Sequence, residues 1–329
     1  MEYRRLGKSG LKLSVFSFGS WVTFARQVTG SAARDMMALA YEHGINFFDN
    51  AEVYEKGRSE ILMGETIRQL GWPRDSYCVS SKVYWGGDKP TQKGLHRKHV
   101  TEACHGALKR LGVDYLDLYF CHRPDIETPI EETARAMHHL ITQGKVLYWG
   151  TSEWNAQQIT DAIAVCREHG LTPPAMEQPM YHLFHRDKFE RDLLPLFTDH
   201  GLGTTTFCPL AMGILTGKYC EGIPPDSRFS LPGYEWLRAR LESEEGQMQI
   251  EKTRRLQALA TEAGLSVHHL ALLWCLQNPH VTTAILGASR IEQLRDNLNA
   301  LHNAEKMTPE LLEGIEKIVD NRPEPFKHF

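Results

Sequence analysis

Five polar residues stand at the ends of short apolar runs: Asp49 after Phe47-Phe48, Lys82 after 77–81, His122 after 116–120, Ser152 after 147–150, and Gln178 at the close of 175–178. One such residue alone has an ordinary structural explanation. Several at successive strand ends, all facing one mouth, imply an active site. Tyr54 lies five residues beyond Asp49 on the same predicted loop, so both side chains can project over that mouth. A phenol is a poor acid at neutral pH unless a nearby cation favours its anion, and Lys82 is the expected cation. Asp49 is expected to pair with Lys82 and hold it charged, and His122 to donate a hydrogen bond to a substrate carbonyl oxygen. This set protonates an oxygen while something else attacks carbon. No Ser or Cys nucleophile with a base and no metal motif is evident, so a cofactor hydride is the expected attacking species.

Strand-like runs at 16–19, 47–49, 77–81, 116–120, 147–150, 175–178, 203–207 and 283–286 must carry these residues. Amphipathic stretches at 32–43, 59–70, 98–111, 130–143, 156–169, 188–200 and 291–300 alternate with them, the pattern of parallel βαβ units. Gly44, Gly112, Gly144, Gly170 and Gly201 follow five of these stretches and read as helix ends. Eight strands with intervening helices predict a closed (β/α)8 barrel, an α/β TIM barrel, with residues 1–329 as one unit. Two short segments around Gly7-Lys8-Ser9-Gly10 predict an N-terminal β-hairpin that caps the barrel. The rhythm breaks after the seventh barrel strand, where a Gly/Pro-rich loop followed by a charged helical run extends from Cys208 to Met248. A loop of that length at a strand's carboxyl end is expected to be functional, and Leu210, Ile214, Leu215, Phe229 and Leu231 give it something to bury. Helices at 252–263, 267–277 and 309–319 complete the chain.

No G-x-G-x-x-G follows a strand and opens a helix, so a dinucleotide must be held differently. The long loop offers a basic pair, Lys218 and Arg228, and Gly287-Ala288-Ser289 opens the helix that carries Gln293 and Asn297. The loop after the eighth strand and the amino end of its helix are a frequent phosphate site in barrels. A net charge of −4 without a Lys/Arg block argues against nucleic acid. No apolar stretch approaches the ~18 residues of a membrane span and no leader is evident, so a cytoplasmic location is expected. Seven cysteines without a CxxC pair suggest neither disulfides nor zinc, and His182 with His185, His138-His139 and His268-His269 read as ordinary histidines. No metal is expected.

The segments Phe47-Phe48-Asp49-Asn50-Ala51-Glu52-Val53-Tyr54, Ser80-Ser81-Lys82 and Cys121-His122-Arg123-Pro124-Asp125 resemble the three tetrad motifs of the aldo-keto reductases. The resemblance runs from about Tyr3 to about Pro323. Within that superfamily the potassium-channel β-subunit group is the nearest likeness, on Gly19-Ser20-Trp21-Val22-Thr23-Phe24, Tyr148-Trp149-Gly150-Thr151-Ser152, Ser227-Arg228 and Gly287-Ala288-Ser289. It implies Asp49, Tyr54, Lys82 and His122 as catalytic residues, with Tyr54 the general acid. It also implies that Ser152 and Gln178 hold a nicotinamide carboxamide, that the Phe207 ring packs on the nicotinamide, and that Trp21 and Gln27 line the mouth. Asp49 would lie near the nicotinamide ribose. Cys208, Pro209, Leu210, Ala211 and Met212 would run along a pyrophosphate. Lys218, Arg228, Ser289 and Gln293 would grip a 2′-phosphate, with Asn297 near the adenine, and that cation pair favours NADPH (and NADP+) over NADH.

The chain departs from the resemblance at four places. His122 stands where animal channel β-subunits carry asparagine, which completes the reductase tetrad. Phe207 replaces a tryptophan, Glu153 an arginine and Asp226 a tyrosine, and two acidic groups near phosphates would weaken an anion site. Three functions follow as alternatives: an NADPH-dependent reductase of small carbonyl compounds, a redox-sensing regulatory subunit of a membrane channel, and a barrel lyase or isomerase with Lys82 as Schiff base. The resemblance also implies a homotetramer.

Overall fold

The short apolar runs pair side by side and in parallel because each is buried on both faces, and only a sheet covered on both sides satisfies that. The computed structural model describes residues 1–225 and 227–324. A hairpin of β1 (Tyr3–Arg5) and β2 (Lys12–Ser14) precedes the barrel strands β3 (Phe16–Gly19), β4 (Phe47–Asp49), β5 (Cys78–Val83), β6 (Leu116–Cys121), β7 (Val146–Ser152), β8 (Met176–Gln178), β9 (Gly203–Thr206) and β10 (Thr283–Leu286). Among the described residues these eight close in chain order, with β10 pairing back onto β3. The predicted (β/α)8 barrel and its N-terminal hairpin are both present. Around the strands lie α1 (Gly30–Glu42), α2 (Arg58–Leu70), α3 (Arg97–Leu111), α4 (Ile130–Thr142), α5 (Ala156–Glu168) and α6 (Leu194–His200). After β9 come α7 (Glu235–Glu242), α8 (Glu244–Glu262) and α9 (Val267–Gln277), and after β10 come α10 (Ile291–Asn299) and α11 (Pro309–Val319).

Most boundaries shift by a residue or two, and three differences bear on the site or its supports. Lys82 falls inside β5, one residue before its end, so it is a barrel-interior side chain rather than a rim residue. The helix expected over 188–200 divides into a wide turn at Lys188–Asp192 and α6, because Pro195 has no N–H to continue the ladder. The helix expected from 252 begins instead at Glu244, where Ser243 accepts from Gly246 N and two glutamates occupy the first turn. No single described helix is long and apolar enough to cross a membrane; α8 and α9 pass that test only as a pair, bent by 90°.

Side chains alternate across each strand, and this parity divides the apolar residues into two cores. Phe47, Cys78, Leu118, Phe120, Met176 and Ile285 pack inside the barrel, with Leu6 and Leu13 from the hairpin closing its floor. Phe18, Phe48, Val79, Tyr119 and Trp149 pack outward against the helices. Continuing the inward parity to the carboxyl ends gives Asp49, Lys82, His122, Ser152, Gln178 and Phe207. The same alternation that builds the core therefore aims the polar residues into the mouth.

The loops at that mouth hold unusual backbone. Of the nine described non-glycine residues with positive φ, eight lie there: Val22, Ala25, Glu55, Lys56, Glu153, Cys208, Ala211 and Met212. The opposite end is shut tightly. Lys8 N donates to Gly201 O at 2.8 Å, and a Cβ on Gly203 would stand 2.7 Å from Gly7 N and from the Leu6 carbonyl carbon. Gly203→Ala should therefore lower stability by about 1–3 kcal/mol, the usual cost of overpacking against backbone. Urea midpoints of the two proteins measure this, and an unchanged midpoint would mean that the hairpin does not press on the barrel floor.

Candidate active site

At the end of β4, Asp49 is almost fully buried, and Lys82 on β5 is wholly buried beside it. The Lys82 ammonium donates to Asp49 Oδ2 at 2.6 Å, to Asn50 O at 2.8 Å and to the Tyr54 hydroxyl at 3.3 Å. Its three donors thus have three acceptors. Asp49 Oδ1 accepts from Ser80 Oγ at 2.8 Å and from Gln178 Nε2 at 3.1 Å, and Gln178 also donates to Thr205 Oγ1. Burial lowers the Lys82 ammonium below its usual value, and the Asp49 carboxylate opposes that. Wholly buried and with its three donors engaged, Lys82 is out of reach of a substrate carbonyl carbon, which argues against a Schiff-base role.

Tyr54 and His122 meet above this pair, their rings edge to face at 5.9 Å. Burial, reinforced by the Asp49 charge, pushes the Tyr54 phenol well above its ordinary value, and Arg123 is the cation that pulls against the rise. The Lys82 ammonium donates to the phenol oxygen while its own charge is matched by Asp49 at closer range. Burial, followed by the charges of Lys82 and Arg123, pushes the His122 imidazole well below its ordinary value, so the ring is neutral at physiological pH. Its Nδ1 is buried with no partner among the described residues, and Trp85 covers its face at 5.1 Å.

From this point a cleft of about 1010 Å³ runs across the barrel mouth to the start of α10. Trp21, Gln27, Asp49, Tyr54, His122, Ser152, Gln178, Phe207, Cys208, Pro209, Leu210, Met212, Lys218, Arg228, Gly287, Ser289, Gln293 and Asn297 all line it. Two residues singled out from sequence do not. Lys82 lies behind Asp49 and Tyr54, and Ala211 turns into the apolar layer. Such a cleft, polar at the tetrad, flanked by the Arg228 guanidinium over the Trp21 ring at 5.4 Å, and closed by a helix N-terminus, fits a long phosphate-bearing cofactor. Ser289 N and Oγ both donate to Gln293 Oε1, at 3.0 and 3.2 Å, so Gln293 engages the Ser289 amide and hydroxyl at that end.

The whole-chain comparison decides the family. The aldo/keto reductase family model matches residues 16–320. This chain belongs to the aldo/keto reductase family. Membership indicates an oxidoreductase, in a family whose members generally bind NAD(P)H. Among curated relatives it is 48% identical over 324 residues, 98% of each chain, to a probable voltage-gated potassium channel subunit beta of Arabidopsis thaliana. It is 47% identical over the same share to a protein of that name from Oryza sativa subsp. japonica. The likeness to the channel β-subunit group therefore holds across nearly the full length.

Several residues at the aldo/keto reductase cleft carry no strand-end signal. Arg123, Arg240, Trp236 and Arg290 all line it. Arg240 and Trp236 come from α7, in the insertion, and Arg26 fastens that insertion by donating to Pro232 O, lying over the Tyr234 ring at 4.6 Å and pairing with Glu55 at 3.6 Å. Glu153 also lines the cleft, but its carboxylate is engaged by Lys188 at 3.1 Å and by Met180 N at 2.7 Å, so it is not an unpaired charge facing an anion. Asp226 lies outside the described residues. The doublet His268-His269 gains a carboxylate that sequence spacing hides: Asp296, from α10, meets His268 Nε2 at 2.8 Å and His269 Nε2 at 3.1 Å.

Because folding depresses the His122 imidazole, the unfolded chain takes up that proton more readily, and stability contributed here is lost as pH falls below about 6.5. The ring's NMR signals should stay constant from about pH 8 to about pH 5.5. Titration close to the ordinary imidazole value would contradict a neutral His122.

Proposed function

We propose that this protein reduces aldehydes or ketones to alcohols with NADPH, Tyr54 being the general acid. The observation that carries the reading is the Tyr54 hydroxyl, held 3.3 Å from the Lys82 ammonium beside a neutral His122, at the inner end of the cleft. Lys82 fixes the phenol oxygen and leaves its proton directed at the substrate. His122 donates a second hydrogen bond and so polarises the carbonyl. Bound NADPH supplies the hydride. With a hydride delivered to the carbonyl carbon, Tyr54 would give its proton to the carbonyl oxygen and recover one from water. On this reading Ser152 and Gln178 hold the nicotinamide carboxamide and Phe207 packs on its ring. Lys218, Arg228, Ser289 and Gln293 are the groups assigned to the 2′-phosphate.

A second reading rests on the relatives' names: a regulatory subunit that binds NADPH at a membrane channel and turns over slowly. Cytoplasmic residence of the chain as a single barrel unit, assembled as a homotetramer, suits either reading. Co-purification with a channel would favour the second.

Tyr54→Phe should cut the rate of aromatic aldehyde reduction about 10²–10⁴-fold, the usual contribution of a positioned proton donor, while NADPH affinity stays close to wild type. Stopped-flow absorbance of bound NADPH reports both. Equal rates in the two proteins would remove Tyr54 as the acid, and tight binding without turnover in either would shift the weight to the regulatory subunit.

A further inference from the structure

The tetrad accounts for its own charges. Asp49 and Lys82 neutralise each other, and Tyr54 and His122 are held neutral by their surroundings. Arg123 breaks that balance. It follows His122 where β6 has ended and lines the same cleft, half-buried. Its Nη1 donates to His122 O at 2.5 Å and approaches Ser152 Oγ at 3.5 Å, which anchors the guanidinium between the ends of β6 and β7. The Trp85 ring lies over it at 5.3 Å.

No described carboxylate forms an ion pair with Arg123. The nearby acids are engaged elsewhere: Asp49 by Lys82, Glu153 by Lys188 and Met180 N, and Asp125 by Leu95 N, Thr128 Oγ1 and Glu127 N. A half-buried guanidinium without a counter-charge keeps a desolvation cost that an anionic ligand relieves. Its planar fork suits two parallel hydrogen bonds to an oxyanion, and its carbonyl and Ser152 contacts fix its direction. The residue is therefore pre-oriented for a charge arriving through the mouth, beside the atoms that would protonate a carbonyl.

On the reductase reading, we infer that Arg123 is a specificity-determining residue that selects carbonyl substrates bearing an anionic group, a carboxylate or a phosphate, close to the reacting carbon. A neutral aldehyde meets the same tetrad but leaves this cation unmatched. The anionic group would lie against the guanidinium under Trp85, with the carbonyl oxygen turned toward Tyr54 and His122.

Binding of unreactive probes tests this apart from turnover. Benzoate, phenyl phosphate and the neutral isostere benzamide are titrated calorimetrically into the wild type, free and saturated with NADP+, and into Arg123→Gln and Arg123→Lys. One anion should bind the wild type about ten- to hundredfold more tightly than benzamide, the scale of a charge-assisted hydrogen bond. That preference should vanish in Arg123→Gln and return in part in Arg123→Lys; whichever anion binds better names the group. Equal binding of anions and benzamide to the wild type overturns the inference, as does a preference that survives Arg123→Gln. A loss of NADP+ affinity in Arg123→Gln as large as the loss of anion affinity also overturns it, since the residue then serves the cofactor. If the wild type binds no NADP+, the reductase reading fails, and the titrations of the free protein still decide the anion site.

Discussion

A single buried ion pair, Asp49 with Lys82, anchors the chemistry of the barrel mouth. Two charges withdrawn from water inside a barrel are costly unless every remaining donor and acceptor is matched, and here they are: Ser80 and Gln178 complete the carboxylate, Asn50 O and Tyr54 complete the ammonium. The pair and its partners come from β4, β5, the end of β8 and the loop after β4, so the pair also fixes how those segments sit relative to one another. Removal of either charge would leave the other buried and unmatched. The position of the Tyr54 hydroxyl is a by-product of the third ammonium hydrogen.

Position at the end of a strand-like run makes most of this site legible in the sequence, and the period-two alternation of the strands explains why. Asp49, His122, Ser152 and Gln178 sit in register with the apolar residues that precede them, so the same rule that predicts a core predicts where its polar end points. Lys82 was expected just past its strand and lies within it, because β5 runs on to pair Val83 with Cys121. Arg123 was hidden for the opposite reason: it is out of phase with the inward set, and it enters the cleft only because β6 stops at Cys121 and the chain turns. Arg240 belongs to α7, where no strand-end rule reaches. The meeting of Asp296 with His268 and His269 is a contact between α9 and α10, across 27 or 28 residues of chain, which no local spacing encodes. The early start of α8 was within reach, since Ser243 followed by two glutamates is a helix-start signal.

Stability and function occupy different parts of the molecule. The two apolar cores lie inside the barrel and between strands and helices, whereas the residues with positive φ gather on the loops after β3, β4, β7 and β9. Each such non-glycine residue costs about 1–2 kcal/mol. The closed sheet, which has no exposed edge to lose, carries that cost. Cys208 and Met212 show what the strain achieves: both line the cleft from a segment that would otherwise continue straight out of β9.

The hairpin under the barrel determines more than packing. With Leu6 and Leu13 filling the floor and Gly7 pressed onto the start of β9, the described structure offers traffic only the mouth. In the described structure the tetrad is thus reached and left from one side of the barrel, past residues of the long insertion such as Lys218, Arg228 and Trp236. The route to the chemistry is also the route away from it, so the insertion faces both what enters and what departs.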